Sequence, residues 1–268
     1  MFSLIKLSYF ACNDEEKEWY NTVPKFIKKV YLRPCCRFLL GTTTEREKNS
    51  ILDLSICASA AEHGHLDCLM YARHLGLEWD ISICNLAAQN DHLDILKYAH
   101  EQGCAWDLNT CKYAAARGHI NTLKYAHEHG CPWDEGTCEA ASAFGQINTL
   151  KYAHEQGCPW SIDTCKIASA NGQLNTLKYA HENGCPWDKG ICEMAAVSGH
   201  INTLRYAHEN GCEWSASTTE LAILSGKLGT LRYAFENGCP WNLDAATLSY
   251  LSAIHPEIYT YALANLNK

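Results

Sequence analysis

Cysteine and histidine recur in this chain at intervals that invite metal chemistry. Four Cys pairs are separated by the same step: Cys104/Cys111, Cys131/Cys138, Cys158/Cys165 and Cys185/Cys192. His100, His127, His154, His181 and His208 recur with equal regularity. Thiolate and imidazole are the usual zinc ligands, and a structural zinc site collects four of them. The spacing argues otherwise. No C-x₂-C pair occurs, each His falls inside a helical pattern, and the last full copy has Thr219 and Phe235 at the Cys and His places. A ligand role does not tolerate that exchange, whereas packing does, since a buried Cys acts as a small hydrophobe. We expect no metal, no cofactor and reduced thiols.

Other chemistry is equally hard to place. There is no G-x-S-x-G, no phosphate-binding Gly loop and no H-E-x-x-H. Carboxylates such as Glu128 and Asp134 return in most copies, which suits helix ends better than a unique acid/base dyad. The chain reads as a non-enzyme. With 22 Lys and Arg against 30 Asp and Glu, its net charge is −8. That balance argues against a nucleic-acid binder, which needs a basic face. No apolar run reaches the ~18 residues of a membrane span. The first residues carry Lys6 and no small-residue cleavage site, so a secretory signal is not expected. A cytoplasmic protein with protein partners, and no small-molecule substrate, is the expectation.

The elements that position these residues are set by a repeat. Trp79, Trp106, Trp133, Trp160, Trp187, Trp214 and Trp241 are each 27 residues apart in the 268-residue chain. A fixed period in this range marks an array whose units bury their apolar faces on one another. Each unit holds two helical patterns. Between Asp107 and Trp133, Cys111, Ala114, Ala115 and Gly118 make one face of small residues, with Asn109 or Thr110 as N-cap. Ile120, Leu123 and Ala126 form the stripe of a second helix, ended at Gly130. Each periodic Trp is expected to be mostly buried between consecutive units. No stretch alternates with period two, so the fold class is all-α.

These residues resemble an ankyrin repeat. The family pattern T-P-L-H-x-A-A-x-x-G-H-L-E-V-V-K-L-L-L-E-A-G-A-D-V-N runs through Thr110, Cys111, Ala114, Ala115, Gly118, His119, Ile120, Lys124, Glu128 and Gly130 to Trp133-Asp134. The unit is about six residues shorter than the family's 33, at the place of its β-hairpin finger. The resemblance implies an ankyrin-like helical-repeat solenoid of about seven helix pairs, without fingers, with helical caps at both ends. Residues 53–241 are the seven repeats and 242–268 a degenerate capping repeat. Short, Cys- and Trp-rich units of this kind resemble those multiplied in large DNA viruses of amoebae, which implies a host-directed protein.

Residues 1–52 do not repeat and carry nine basic and six acidic groups, against 13 and 24 in the remainder. They read as a helical cap or an adaptor segment docking on a ubiquitin ligase. A scaffold without a dedicated target is a further reading.

Comparison among the copies assigns the candidate site. The second helix is nearly constant, with Asn-Thr-Leu-Lys/Arg-Tyr-Ala-His-Glu in four units. The first helix varies. Its variable positions include Lys112, Tyr113, Arg117, Glu139, Phe144, Lys166, Asn171, Glu193 and Met194. Aromatic, Met and Arg side chains are typical interface anchors. The expectation is a partner-binding face on the first helices, anchored by Tyr113, Arg117, Phe144 and Met194 and tuned by Lys112, Glu139, Lys166 and Glu193.

Overall fold

The computed structural model describes residues 50–265 apart from 75 and 242, with side chains from residue 56 onward. The expectations placed on residues 1–49 lie outside this range. The chain divides into two compact blocks, one ending at Ala105 and one beginning at Trp106. The first block contains the helices Ser50–Glu62, Leu66–His74, Ser82–Gln89 and Leu93–Glu101. In the second block, the repeats contribute first helices Leu108–Arg117, Glu135–Ala143, Ile162–Ala170, Gly190–Ser198 and Ala216–Leu224. Their second helices are Ile120–Glu128, Ile147–Glu155, Leu174–Glu182, Ile201–Glu209 and Leu228–Glu236. A closing pair, Ala245–Ile254 and Pro256–Asn265, completes the block. Successive first helices pack on one another, and so do successive second helices. The block is therefore a two-layered stack of helical hairpins, and no strand occurs among the described residues.

Local chemistry explains where each helix starts and stops. The N-cap of Leu108–Arg117 is Asp107, whose carboxylate accepts from the Asn109 N–H. Neither Asn109 nor Thr110 takes that role, since Thr110 is buried inside the first turn. Asp134 and Ser161 cap the next two first helices in the same way. Glycine closes them. Gly172 has φ 69° and lies so close to the following unit that an added Cβ would meet the His200 ring at 2.6 Å. A side chain there would be strained and would also push the next hairpin away.

The small-residue face of the first helix brings adjacent helices together. Cys111, Ala114 and Ala115 are completely buried, as are Leu123 and Ala126 of the second helix. Ile120, the third member of the expected stripe, is only half-buried. Thr122, which the sequence reading passed over, is completely buried. The equivalent Thr149 shows why the type is constant, because its hydroxyl donates to Ala115 O of the preceding unit at 3.1 Å. Thr230 reaches Ala196 O in the same way. A buried hydroxyl is tolerated only with such a partner. Helices of nine residues are too short to persist alone in water, so these contacts between units hold the fold.

The cysteines serve the same end. Cys131, Cys158, Cys185 and Cys212 each donate the thiol to the backbone carbonyl of the residue that caps or precedes the first helix of their own unit, for instance Cys158 to Asp134 O at 3.2 Å. Twelve described cysteines are free and buried. Cys68 is the exception, being disulfide-bonded, so the expectation of uniformly reduced thiols does not hold there.

Candidate interaction surface

The surface of the second block has two faces with different chemistry. On the second-helix face the periodic indoles are half-buried, which corrects the expectation that they are mostly enclosed. Each covers a seam with one flat side and leaves part of its ring in solvent. Trp160 stacks on His154 of its own unit, with centroids 3.6 Å apart and planes 12° from parallel. Its edge meets Tyr179 of the next unit at 6.2 Å. Trp133, Trp187 and Trp214 repeat the arrangement with His127, His181 and His208. In the last full unit Phe235 substitutes, edge-on to Trp241 at 4.6 Å. A ring contact with the Trp, rather than coordination, is thus what His makes by stacking and Phe makes edge-on.

A cation completes each step of this ladder. Lys124 Nζ lies over the Tyr152 ring at 5.3 Å, Lys151 over Tyr179 at 5.4 Å and Lys178 over Tyr206 at 5.3 Å. Such contacts each contribute roughly 0.5–1 kcal/mol at exposed sites. The Tyr152 phenol titrates above its ordinary range, chiefly through burial and then through the negative charge of Glu128. Deeper in the stack, the adjacent Cys131 sulfur and burial push the Cys111 thiol far above the ordinary cysteine range. Cys138, Cys165 and Cys192 are pushed up by the equivalent neighbours. Within these pairs the first-helix thiol keeps its proton, while the partner Cys131, Cys185 or Cys212 is pulled below the ordinary cysteine range by the same contact. Among the described residues, no group of three or more Cys, His, Asp or Glu is placed to hold a metal ion.

The first-helix face carries the residues that vary. Phe144 is 59% exposed and Tyr113 38%. Arg117, Asn171 and Lys112 are exposed as well. Tyr113 and Arg117 lie four residues apart on one helix and so share a face. Phe144 occupies, one unit later, the register position of Arg117. Two residues the sequence reading did not select are also exposed, Leu108 at the start of a first helix and Leu224 at the end of another. Their signal was a bulky apolar residue outside the small-residue face.

Four of the expected site residues sit differently. Glu139, Lys166, Glu193 and Met194 are half-buried. Three of them bind the residue that caps or precedes the first helix of the next unit. Ser161 Oγ donates to Glu139 Oε1 at 3.3 Å, Lys166 Nζ pairs with Asp188 Oδ2 at 3.3 Å, and Ser215 Oγ donates to Glu193 Oε1 at 2.6 Å. The sequence follows suit: Lys112 precedes Asp134, Glu139 precedes Ser161, Lys166 precedes Asp188 and Glu193 precedes Ser215, always by 22 residues. In these four pairs an Asp is matched by a Lys and a Ser by a Glu, whereas Asp107 is preceded at the same interval by Asn85. At these positions, variation is compensated by the neighbouring unit.

The two-layered stack of short helical hairpins has a counterpart among solved structures. The ankyrin repeat domain of human ASB11 superimposes with a TM-score of 0.56 at 14% identity, covering 69% of this chain and 99% of that domain. The fold is an ankyrin-repeat fold. No protein-family model matches the sequence, and no curated protein does. The shared feature is hairpin stacking. Among the described residues no helix is long and apolar enough to cross a membrane.

Proposed function

We propose that this ankyrin-type array is a non-enzymatic protein-interaction module that binds one partner protein through its first-helix face. The observation that carries the reading is the exposed patch of Tyr113, Arg117 and Phe144 on adjacent first helices, outside any contact that stacking requires. Side chains of these types dominate the energetics of interfaces, where a few central anchors supply most of the binding. Lys112 adjoins Tyr113 and Asn171 follows Phe144 one unit on, while Met194 lies a further unit along the array. Glu139, Lys166 and Glu193 shape it only through the units they join. The resemblance to repeats of large viruses makes a host cytoplasmic protein the kind of partner to seek.

A photo-crosslinking side chain at position 144, at 113 and, as control, at 151 tests this in extract from a host cell. Positions 144 and 113 should yield the same discrete adduct with a host protein, and 151 no host-protein adduct. Equal host-protein adducts at all three positions, or a specific one at 151 alone, would place the partner elsewhere.

A further inference from the structure

The second-helix face presents a different problem. Its exposed positions scarcely change: the cations rest on the Tyr rings of the next unit, but the glutamates make no hydrogen bond or ion pair among the described residues and are constant all the same. Lys124, Lys151, Lys178, Arg205 and Arg232 form one row across the stack, and Glu128, Glu155, Glu182, Glu209 and Glu236 another. All but the half-buried Lys178 are exposed. Four residues separate the rows on each helix, which at ~1.5 Å rise per residue sets them about 6 Å apart. Along the stack, helix packing spaces each row at roughly 8–10 Å. The tyrosine rings beneath hold the cationic heads in line, with Arg205 over Tyr233 at 5.6 Å and Arg232 over Tyr261 at 5.4 Å. None of these ten side chains is in an ion pair among the described residues.

A uniform face suits a partner that is itself periodic at the same interval. A second copy of this chain has that interval by identity, and the charge rows select how it would dock. Turning the face about a two-fold axis along the stacking direction, midway between the rows, lays each cationic row over the other copy's acidic row. An axis along the helices would instead oppose like charges. The face is electrically balanced, five cations against five anions, although the chain as a whole carries −8. We infer that two copies associate through their second-helix faces, with helices antiparallel across the interface, stacks running in the same direction and both first-helix faces free.

Such an interface is polar, so association should be weak, additive over many pairs and sensitive to salt. Sedimentation velocity of the full chain across a concentration series at low salt should show a monomer–dimer equilibrium. The dissociation constant should rise at least tenfold at about 0.5 M NaCl, where screening is nearly complete over one helix spacing. The variant K124E/K151E/K178E should be monomeric, as should E128K/E155K/E182K, while an equimolar mixture should form a heterodimer tighter than the native dimer. Circular dichroism melting identifies any variant that fails to fold, and K124Q/K151Q/K178Q then replaces it, with at least tenfold weaker dimerisation expected. Native protein that stays monomeric at low salt would overturn the inference. So would charge-reversal variants that dimerise as the native chain does, or a mixture that stays monomeric. Because the first-helix face is not used, crosslinking at position 144 can fail without affecting this result, and the converse holds.

Discussion

The pairing of Lys166 with Asp188 offers the sharpest test of how units recognise one another. Replacing Lys166 by Glu removes an ion pair and sets two carboxylates side by side. The native pair spans 3.3 Å with side chains 30% and 46% exposed, so its own contribution is small, about 0.5 kcal/mol. Two like charges ~4 Å apart in water repel by about 1 kcal/mol. K166E should therefore cost roughly 1.5 kcal/mol. Asp188, one residue before the N-cap Lys189, also accepts the Gly190 N–H at 2.8 Å. Serine is about as good a cap as aspartate. Adding D188S to K166E rebuilds the Glu–Ser combination that units 139/161 and 193/215 already use, and should recover most of the loss, to within about 0.5 kcal/mol of native. Urea denaturation of the native chain, both single variants and the double variant closes the cycle, and 1 M salt should shrink the coupling. If K166E/D188S is no more stable than K166E, the pairing is incidental. Lys166 would then return to the candidate binding residues.

Other expectations follow from the same contacts. Trp160→Ala should cost about 3 kcal/mol, below the ~3–5 of a fully enclosed aromatic at its upper end, because half-burial halves the area while the His154 and Tyr179 ring contacts add ~0.5–1 each; chemical denaturation reads it. Ser142 and Ser169 occupy the same register position, but only Ser169 has a partner, donating to Ile191 O at 2.7 Å, whereas the buried Ser142 hydroxyl has none. Ser169→Ala should destabilise by ~1 kcal/mol and Ser142→Ala should be neutral or stabilising, a sign difference visible in melting temperatures. Burial pushes the Cys239 thiol up to about 11 from 9.0, so the folded state holds its proton more tightly than the unfolded chain. Its stabilising effect is complete below pH 9 and is lost as pH rises through 11, and Cys239→Ala should flatten that part of the stability–pH curve.

Period and residue size made the fold legible before any coordinates. A 27-residue Trp interval and the Cys-x-x-Ala-Ala run can be satisfied only by short hairpins packed closely, and those are the helices observed. Trp burial was not legible, because periodicity reports that a residue is needed at a seam, not how far the seam closes over it. Thr149 was missed for a related reason. A polar residue inside an apolar stripe looks like a surface position until the carbonyl it serves, in the preceding unit, is located. The N-cap, Asp107, lies two or three residues before the expected Asn109 or Thr110, since all three side chains carry an oxygen able to accept from a backbone N–H and only backbone geometry chooses among them.

Comparing copies within one chain separates constant from variable positions, but variation has two physical origins. Lys166 and Glu193 differ because Asp188 and Ser215 differ, and each pair preserves one contact between units. Their variability carries no information about a partner. Phe144 and Arg117 also share a register position, yet neither side chain makes a hydrogen bond, ion pair or ring contact with a neighbouring unit among the described residues. Stacking leaves that exchange free. Variation without a compensating neighbour is the criterion that singles out Tyr113, Arg117 and Phe144, and it can be applied only once the stack shows which residues are neighbours. The opposite case, constancy without a contact between units, singles out the glutamate row of the second helices, since the cationic row already rests on the Tyr rings of the next unit. A residue kept identical on an exposed surface must answer to something outside its own unit, and a face that repeats every 27 residues is best met by another that does the same.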